Sequence, residues 1–397
     1  MKPGTLGYLS GAPRVSTRPE AEASGPKSHI LGFIGAFRKL GWEVRPFIVG
    51  DRMPAGWVGS GSERKLRRGV FHRTAADMVR LALAWRNRQA AWKEIGSVDW
   101  VYERFGVFQS LGRAFQRRGI PWILETNGPF FYEAKTERRS IALSTIARRL
   151  EIQAYRDCDV LVCITSPLRD IIVREAGVPE DKIVLVPNGV DTERFHPSKA
   201  DGARYFPMPT LGFVGSLIAW QGLDRLITAL AELRAEGTDW ALVVAGDGPE
   251  RAAWEKLARN LGLEDRVLFL GSVPWEQVPS VLGRIDVGYS GQVPLKIGAM
   301  YHSPLKLYEY LAMGKPVIAA AYEDALRVVE PRQTGYLFAP DSMAELKAVL
   351  KEALRNRDHW EAMGATARQH VMSRHGWEAR VTHLVKEVER IVGGKGT

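Results

Sequence analysis

Apolar runs of strand length alternate with segments of helical periodicity along most of the chain. In the segments between these runs, for example Leu223–Glu236 and Arg251–Leu261, apolar residues recur at intervals of three and four positions. This alternation is typical of a parallel sheet covered by helices, so we expect an α/β fold. Strands are predicted near Thr5–Leu9, Glu43–Val49, Trp100–Glu103, Trp122–Thr126, Val160–Ile164, Ile183–Val186, Leu211–Gly215, Trp240–Ala245, Val267–Leu270, Val287–Tyr289, Val317–Ala321 and Gly335–Phe338.

The length of 397 residues predicts more than one hydrophobic core. A loose polar stretch that ends at Pro209 separates the two series of strands and is the best linker candidate. We therefore expect one domain over residues 1–205 and a second over 206–375, each a doubly wound sheet, facing each other across a cleft. The last segment, 376–397, is predicted to form a helix that packs back on the first domain.

Composition fits a folded protein, with 45% hydrophobic and 25% charged residues. The longest apolar runs are of strand length, and none approaches the roughly 20 residues of a membrane-spanning helix. The start of the chain lacks the apolar region of a signal peptide, and the two cysteines do not suggest a disulfide framework. From these features we expect a cytoplasmic location.

The net charge of +10 is concentrated in the first half of the chain. Residues 1–205 contain 33 Lys and Arg against 22 Asp and Glu, which suggests contact with something anionic or simply a basic solvated surface. Residues 64–93 form a basic amphipathic pattern with two interpretations. Such a helix either lies on an anionic membrane surface, as a peripheral contact, or covers its own sheet while its arginines face water. Nucleic acid is not an expected partner.

The most informative segment is a short helix whose two ends are both specified. Ser303 suits the N-cap and Pro304 the first helical position, where a missing N–H costs nothing. Gly314 suits the left-handed position after the helix, and Pro316 prevents its continuation. The sequence therefore predicts a helix of about ten residues, followed at once by a buried strand.

This predicted helix has the chemistry of a phosphate site at its N-terminus. Backbone N–H groups, the Ser303 hydroxyl and the Lys306 ammonium converge there. Glu309 lies one turn on from Lys306, where a carboxylate accepts hydroxyl donors from a ribose or pairs with the lysine. The alternative is an ordinary capped surface helix with an ion pair, and the residues alone do not separate the two.

The segment from Ser303 to Val317 resembles the donor-site helix of glycosyltransferase family 4, in the subgroup with an S-P-x-K-x-x-E-Y pattern. Other matches follow in the same order and spacing as in that family. They are Val186-Pro187-Asn188-Gly189-Val190-Asp191 at the exit of the first domain, Gly212-Phe213-Val214-Gly215-Ser216 with Trp220-Gln221-Gly222 at the start of the second, and the turn Ala245-Gly246-Asp247-Gly248-Pro249-Glu250-Arg251.

The resemblance implies a retaining glycosyltransferase with the GT-B fold, two Rossmann-like domains facing across a cleft. Such an enzyme transfers a hexose or amino-hexose from a nucleotide diphosphate sugar, with UDP-sugars as the first expectation, to a hydroxyl of an acceptor. Lys306 and Glu309 are the expected catalytic residues, and neither a metal nor another cofactor is expected. The expected donor-binding residues are Gly215, Ser216, Gln221, Gly246, Ser272, Val273, Ser303, Lys306, Leu307 and Glu309.

Residues at the ends of the first-domain strands are the acceptor or cleft candidates. Strand ends bear Glu103 with Arg104 and Glu125 with Asn127, and the carboxyl ends of parallel strands meet at one edge of a sheet. The loop that contains Lys27 and His29 is similar to the family's glycine-containing loop near the donor phosphates. The acceptor is either a lipid-linked glycan or a soluble small molecule.

The chain departs from the family pattern at three positions. Most members carry two glutamates eight residues apart in this segment, and the first falls on Tyr301 here. Ser216 and Gln221 occupy places where many members have an arginine and a lysine. An active enzyme is our expectation; the alternatives are a catalytically weak or degenerate protein that binds nucleotide sugars, and a GT-B epimerase or phosphorylase.

Overall fold

The computed structural model describes residues 3–21, 24–54, 56, 58, 69–133 and 141–394. Within this part of the chain there are two parallel β-sheets, each with helices packed on it, and the α/β architecture predicted from the sequence is confirmed. The strands of the first sheet lie between residues 5 and 185 and those of the second between 210 and 338. The strand runs are almost wholly buried because helices cover both faces of each sheet.

The first sheet has the strand order β2-β1-β3-β4-β5-β6 among the described residues. All pairs are parallel, with Leu6 aligned to Val44 on one side and to Trp100 on the other. Because the strands run in one direction, their carboxyl ends form a single edge. The strands are β1 Thr5–Ser10, β2 Glu43–Ile48, β3 Trp100–Arg104, β4 Trp122–Thr126, β5 Val160–Cys163 and β6 Ile183–Leu185.

Helices connect these strands in the usual parallel α/β manner. Ser24 caps the first helix by accepting a hydrogen bond from Lys27 N, and Thr165 caps another by accepting from Leu168 N. The helices are α1 Gly25–Lys39, α2 Val70–Ile95, α3 Arg113–Gln116, the short α4 Phe130–Tyr132, α5 Ser144–Asp157 and α6 Ser166–Ala176.

The second sheet has the order β12-β11-β10-β7-β8-β9 in the described chain and is again parallel. Its strands are β7 Thr210–Val214, β8 Ala241–Ala245, β9 Val267–Gly271, β10 Val287–Ser290, β11 Val317–Ala320 and β12 Gly335–Phe338. Its helices are α7 Leu223–Ala235, α8 Arg251–Asn260, α9 Val278–Gly283, α10 Leu305–Ala312, α11 Glu323–Val328, α12 Met343–Arg355 and α13 Trp360–Arg374.

The last helix, α14 Trp377–Gly393, returns to the first sheet and packs on α1. The Trp377 ring lies against His29, with ring centroids 5.0 Å apart, and against Phe33 at 5.6 Å. Gly32 makes this approach feasible, since a Cβ there would lie 2.1 Å from Trp377 Nε1. The helix therefore ties the end of the chain to the element that carries His29.

No helix in the described part of the chain has the length and apolar character to cross a bilayer. The helix α2 covers most of residues 64–93, the segment for which the sequence allowed either membrane contact or packing on its own sheet. Residues 64–68 of this segment lie outside the described residues. The inner face of α2 is buried at Ala84, Ala91 and Ile95 against the first sheet. Its outer face carries exposed apolar side chains.

Candidate active site

A cavity of about 330 Å³ lies between the two sheets, at the carboxyl ends of their strands, and both domains line it. This is the position where ligands bind in open parallel α/β sheets. Most of the residues named from the sequence line it. They are His29, Arg104, Asn127, Gly215, Ser216, Gln221, Gly246, Ser272, Val273, Ser303, Lys306 and Glu309.

The helix α10 points its N-terminus at this cavity. Pro304 is its N-cap, and the cavity wall includes Pro304, Leu305 and Lys306. The first turn of a helix presents backbone N–H groups and a partial positive charge, which favour an anion. The apolar residues Leu307, Tyr308 and Leu311 are fully buried and fix the helix in the second domain. Packing therefore fixes the position of the N-terminal end of this helix.

Lys306 is the cation nearest to this helix end. Its Nζ donates to Gln221 Oε1 at 2.7 Å and lies 3.7 Å from the centroid of the Phe213 ring. Burial lowers the pKa of Lys306 to about 7, although the nearby Glu309 carboxylate acts in the opposite direction. An anion bound beside Nζ would raise this pKa again, because opposite charges favour the protonated amine. Lys306 thus suits a ligand that brings negative charge into the cleft.

Glu309 lies on the same side of α10, and it faces the first domain across the cleft. Burial raises its pKa to about 7, and Lys306, Arg194 and a hydrogen bond from Ser28 oppose the rise. Ser28 Oγ in turn accepts a hydrogen bond of 2.6 Å from Trp275 Nε1. The carboxylate therefore sits where hydroxyl donors from either domain or from a ligand can reach it.

Two glycine turns form the floor of the second-domain side. Gly215 follows β7 with φ of +143°, and Gly246 follows β8 with φ of +146°. A Cβ at Gly246 would lie 1.9 Å from Gly215 O, and one at Gly215 would lie 3.4 Å from Lys306 Nζ. Only glycine allows the two turns to approach each other and to leave backbone accessible beside Lys306.

The predicted role of Ser303 as N-cap is wrong. Its hydroxyl donates to the Asp324 carboxylate and accepts a 3.0 Å hydrogen bond from Asn188 N, so it connects the end of the first domain with α11. Burial raises the pKa of Asp324 to about 6, while the hydrogen bonds from Ser303 and Tyr308 lower it. Ser303 still touches the cavity, but its hydroxyl holds the two domains together instead of capping α10.

Lys27 does not lie at the cavity, contrary to the expectation of a phosphate contact. Its Nζ donates to the carbonyl oxygens of Arg18 and Ala21, both at 2.8 Å, and to that of Pro19 at 3.3 Å. Its side chain is fully buried, and the cavity wall includes its neighbours Pro26 and Ser28 but not Lys27 itself. The ammonium organises the loop before α1 because three carbonyls replace its hydration.

Three further candidates lie behind the cavity wall and not in it. The Glu103 carboxylate accepts hydrogen bonds from Leu111 N and Gly112 N, both at 2.8 Å, and burial raises its pKa to about 7. Glu125 lies under the wall, where it accepts from Tyr102 and Asn127. Leu307 points into the hydrophobic core.

Arg104, Asn127 and His29 are the first-domain candidates that do reach the cavity. Glu125 contacts all three: its Oε2 lies 3.3 Å from His29 Nε2, its Oε1 lies 3.6 Å from Arg104 Nε, and Oε1 also accepts a hydrogen bond from Asn127 Nδ2. Burial lowers the pKa of His29 to about 4, so this histidine is neutral near pH 7. The first-domain wall thus presents the guanidinium groups of Arg14 and Arg104, the Glu133 carboxylate and neutral polar groups.

Several cavity residues were not found from the sequence. Trp275 lines the cavity and bonds to Ser28, and the Arg194 guanidinium stacks on its ring at 3.1 Å from the centroid. Glu133 contacts Tyr301 and His302 across the cleft. Ser28 lies 247 positions from Trp275, and Tyr301 lies 168 positions from Glu133, so no local pattern signals these contacts.

The described residues contain no group of three or more His, Cys, Asp or Glu side chains placed to hold a metal ion. The site instead offers an ammonium, carboxylates, a helix N-terminus and glycine turns on one side, and two guanidinium groups, a carboxylate and neutral polar groups on the other. This arrangement has the chemistry to accommodate an elongated ligand with an anionic centre and hydroxyl groups.

Comparison with known families matches nearly all of the chain in two parts. Residues 23–194 match the model described as Glycosyltransferase Family 4, and residues 199–370 match the one described as Glycosyl transferases group 1. Among solved structures, sucrose-phosphate synthase from Thermosynechococcus elongatus aligns with a TM-score of 0.72, at 19% identity over 98% of this chain and 100% of that one. HepE from Anabaena, solved in complex with UDP, aligns with a TM-score of 0.62, at 16% identity over 97% and 100%.

Curated relatives match over part of their length. A 2-deoxystreptamine glucosyltransferase from Streptomyces kanamyceticus is 29% identical over 213 residues, 52% of this chain and 54% of that protein. A GDP-mannose-dependent alpha-(1-6)-phosphatidylinositol monomannoside mannosyltransferase from Mycobacterium tuberculosis is 30% identical over 234 residues, 57% of this chain and 60% of that protein. The chain therefore spans little more than half the length of these relatives.

Proposed function

The chain belongs to the GT-B glycosyltransferases of the family 4 type, and from this premise we propose that it transfers a hexose or amino-hexose from a nucleoside diphosphate sugar to an acceptor hydroxyl, with retention of configuration. The observation that carries the proposal is the N-terminus of α10 with Lys306, which faces the cavity beside the Gly215 turn. These groups together match a diphosphate.

The chemistry assigned to the protein is positioning and charge stabilisation. As the glycosidic bond to the donor breaks, negative charge grows on the leaving diphosphate, and Lys306 and the α10 N–H groups are placed to stabilise it. Glu309, held near Ser28 and Arg194, is placed to accept hydroxyl donors from the ribose. In a retaining transfer on one face of the sugar, the leaving phosphate itself takes the acceptor proton, so the chain need supply no separate base.

The nucleotide is the first point to test, since one structural neighbour was solved with UDP and a curated relative uses GDP-mannose. We expect nucleoside diphosphate sugars to raise the melting temperature, with UDP-sugars first and GDP-sugars second. The shift should grow with concentration, because a ligand that binds only the folded state stabilises it by mass action. Nucleoside monophosphates, which lack the second phosphate, are the control. A panel in which no nucleotide sugar shifts the melting temperature would contradict the proposal.

The acceptor is either lipid-linked or a soluble small molecule, and one observation favours a lipid surface. On α2 an outward apolar stripe, formed by Phe71, Ala75, Met78, Ala82 and Trp85, runs along one side at intervals of four and three positions. Its large members Phe71, Met78 and Trp85 are 91%, 58% and 68% exposed. Arg73, Arg80, Arg86 and Arg88 lie along the same helix. Of its two acidic residues, Asp77 is buried and accepts hydrogen bonds from Ala142 N and Leu143 N, and Glu94 pairs with Arg52. We propose that this stripe docks on an anionic membrane.

Vesicle sedimentation tests this proposal. We expect the protein to sediment with vesicles containing about one third phosphatidylglycerol and to stay in solution with pure phosphatidylcholine, since the flanking arginines need anionic lipid. Replacing Phe71 and Trp85 with serine should abolish sedimentation. Leu326→Ser, at a residue 60% exposed on the second domain, should leave it unchanged. If the stripe instead joins two copies of the chain, light scattering will show a dimer that the Phe71 and Trp85 replacements dissociate, and lipid will have no effect.

A further inference from the structure

A carboxylate from the first domain enters the cavity at the point where the second domain lacks one. Glu133 directly follows α4, its side chain is buried, and it lines the cavity. Its Oε1 accepts a hydrogen bond of 2.9 Å from the Tyr301 hydroxyl and lies 3.4 Å from His302 Nε2. Tyr301 and His302 belong to the second domain, so the contact crosses the cleft.

The backbone around this carboxylate is shaped to admit it. A Cβ at Gly128 would lie 2.2 Å from Glu133 Oε1 and 2.9 Å from Tyr301 Cε2, so only glycine leaves room for both side chains. Tyr301 is fully buried, and its carbonyl oxygen accepts a 2.8 Å hydrogen bond from Thr165 Oγ1 of the first domain. The tyrosine is therefore fixed at both its backbone and its hydroxyl.

Contacts on the second domain connect Glu133 with the Lys306 end of the cavity. The His302 ring packs on Trp220, with centroids 5.4 Å apart. Trp220 immediately precedes Gln221, whose side chain holds Lys306 Nζ. His302 itself lies four residues before Lys306 in the segment that leads into α10. Glu133 and Lys306 line the same cavity, so a sugar bonded to a diphosphate at Lys306 would share this enclosed space with Glu133.

We propose that Glu133 is a specificity-determining residue whose carboxylate accepts a hydrogen bond from a hydroxyl of the transferred sugar. In this role it supplies from the first domain the acidic group that Tyr301 does not provide, and Tyr301 is the residue that positions it. The proposal rests on the proposed function, since it needs a nucleotide sugar in the cleft. A carboxylate has about four lone-pair sites, so Glu133 can accept a sugar hydroxyl beside the contacts that it already makes, and it distinguishes sugars by that hydroxyl.

Binding measurements on the whole chain test this without an identified acceptor. Calorimetry measures the affinity for the nucleotide sugar that binds best. We expect Glu133→Gln to lower this affinity by at least about tenfold, because the substitution removes a buried hydrogen bond to a charged group. Its affinity for the nucleoside diphosphate alone should change by less than about twofold, because the diphosphate contacts are elsewhere. Donors that lack one sugar hydroxyl at a time then locate the contact. For wild type, one of these deoxy donors should bind about tenfold more weakly than the complete donor. For Glu133→Gln, the same deoxy donor should bind no more weakly than the complete donor.

Glu323→Gln is the matched control. Glu323 also joins the domains, since it accepts hydrogen bonds of 3.0 Å from Ser166 N and Ser166 Oγ, but it is not part of the cavity wall. If Glu133 only helped to close the cleft, Glu133→Gln and Glu323→Gln would both lose affinity for the nucleotide sugar and for the nucleoside diphosphate, and to the same extent. Tyr301→Phe should also lower the affinity for the complete nucleotide sugar, by a smaller factor than Glu133→Gln does, and should leave the affinity for the nucleoside diphosphate unchanged.

The outcomes separate this proposal from the proposed function. If wild type binds neither nucleotide sugar nor nucleoside diphosphate, the proposed function fails, and this inference fails with it. If wild type binds both but Glu133→Gln discriminates among the deoxy donors as wild type does, only the assignment of Glu133 is overturned.

Discussion

Replacing Lys306 with alanine should lower the turnover of the nucleotide sugar by about a hundredfold or more. The lysine Nζ lies in the cavity wall beside the N-terminus of α10, where charge grows on the leaving diphosphate. Loss of a charge-assisted contact that strengthens in the transition state costs about 3 kcal/mol, which corresponds to roughly that factor in rate. The measurement is the release of nucleoside diphosphate from the donor that binds best, with kcat and KM determined separately.

Two variants control for packing. Lys306→Met keeps the volume of the buried chain and should lose about as much activity as the alanine variant, because the charge is what matters. Lys315→Met removes a half-buried lysine close by along the chain, whose Nζ donates to Gly283 O at 3.1 Å outside the cavity wall. This control should keep kcat within about threefold, in line with additivity for distant sites. Turnover by Lys306→Met close to that of wild type would remove Lys306 from the mechanism.

Replacing Gly246 with alanine should both destabilise the protein and weaken donor binding. The new Cβ would lie 1.9 Å from Gly215 O, and the φ of +146° is one that side-chain-bearing residues rarely adopt. The Gly215 turn must move, so we expect a loss of about 3 kcal/mol in the free energy of unfolding. We also expect an increase of at least about tenfold in the KM for the donor, as follows when a binding contact is displaced. Denaturant unfolding and donor kinetics measure the two effects.

Gly237→Ala separates backbone strain from the collision. Gly237 has a φ of +82°, but a Cβ there would meet nothing within 4 Å. This variant should lose about 1 kcal/mol of stability from its backbone conformation alone and keep the wild-type KM. Equal effects of the two substitutions, or a Gly246→Ala protein with unchanged donor KM, would show that the approach of the two turns does not shape the site.

Much of the fold could be predicted because its signals are local. Most strand runs of both domains are short, apolar and buried, and most are followed by helical periodicity. The strand Val317–Ala320 and the helix Leu223–Ala235 illustrate the two patterns. The turn at Gly215 and the helix with Lys306 were also visible, since glycine after a strand and proline before a helix have defined backbone consequences. Local chemistry therefore identified the second-domain side of the cleft.

The errors arose where a side chain bonds to a distant part of the chain. Ser303 has the right type and position for an N-cap, yet its hydroxyl meets Asn188, 115 residues away, and Asp324. Lys27 suggested a phosphate contact, but its ammonium is occupied by carbonyls of the preceding loop. Glu125 ends a strand as expected but lies one layer below the cavity, behind His29.

The first-domain side of the site was the least predictable part. Trp275 reaches Ser28 across 247 positions, and Tyr301 reaches Glu133 across 168. Such pairs depend on how the two domains face each other, which no residue pattern within one domain encodes. The family pattern has a glutamate at the position of Tyr301. Only the structure shows that the Tyr301 hydroxyl instead contacts a carboxylate from the first domain, that of Glu133.

A crystal structure with the best-stabilising nucleotide sugar is the most direct test of the central claim, that the N-terminus of α10 and Lys306 bind the donor diphosphate. We expect the diphosphate oxygens within hydrogen-bond distance of Lys306 Nζ and of the first backbone N–H groups of α10, with the Gly215 turn alongside. A diphosphate bound elsewhere in the cleft, with Lys306 still bonded only to Gln221, would contradict it.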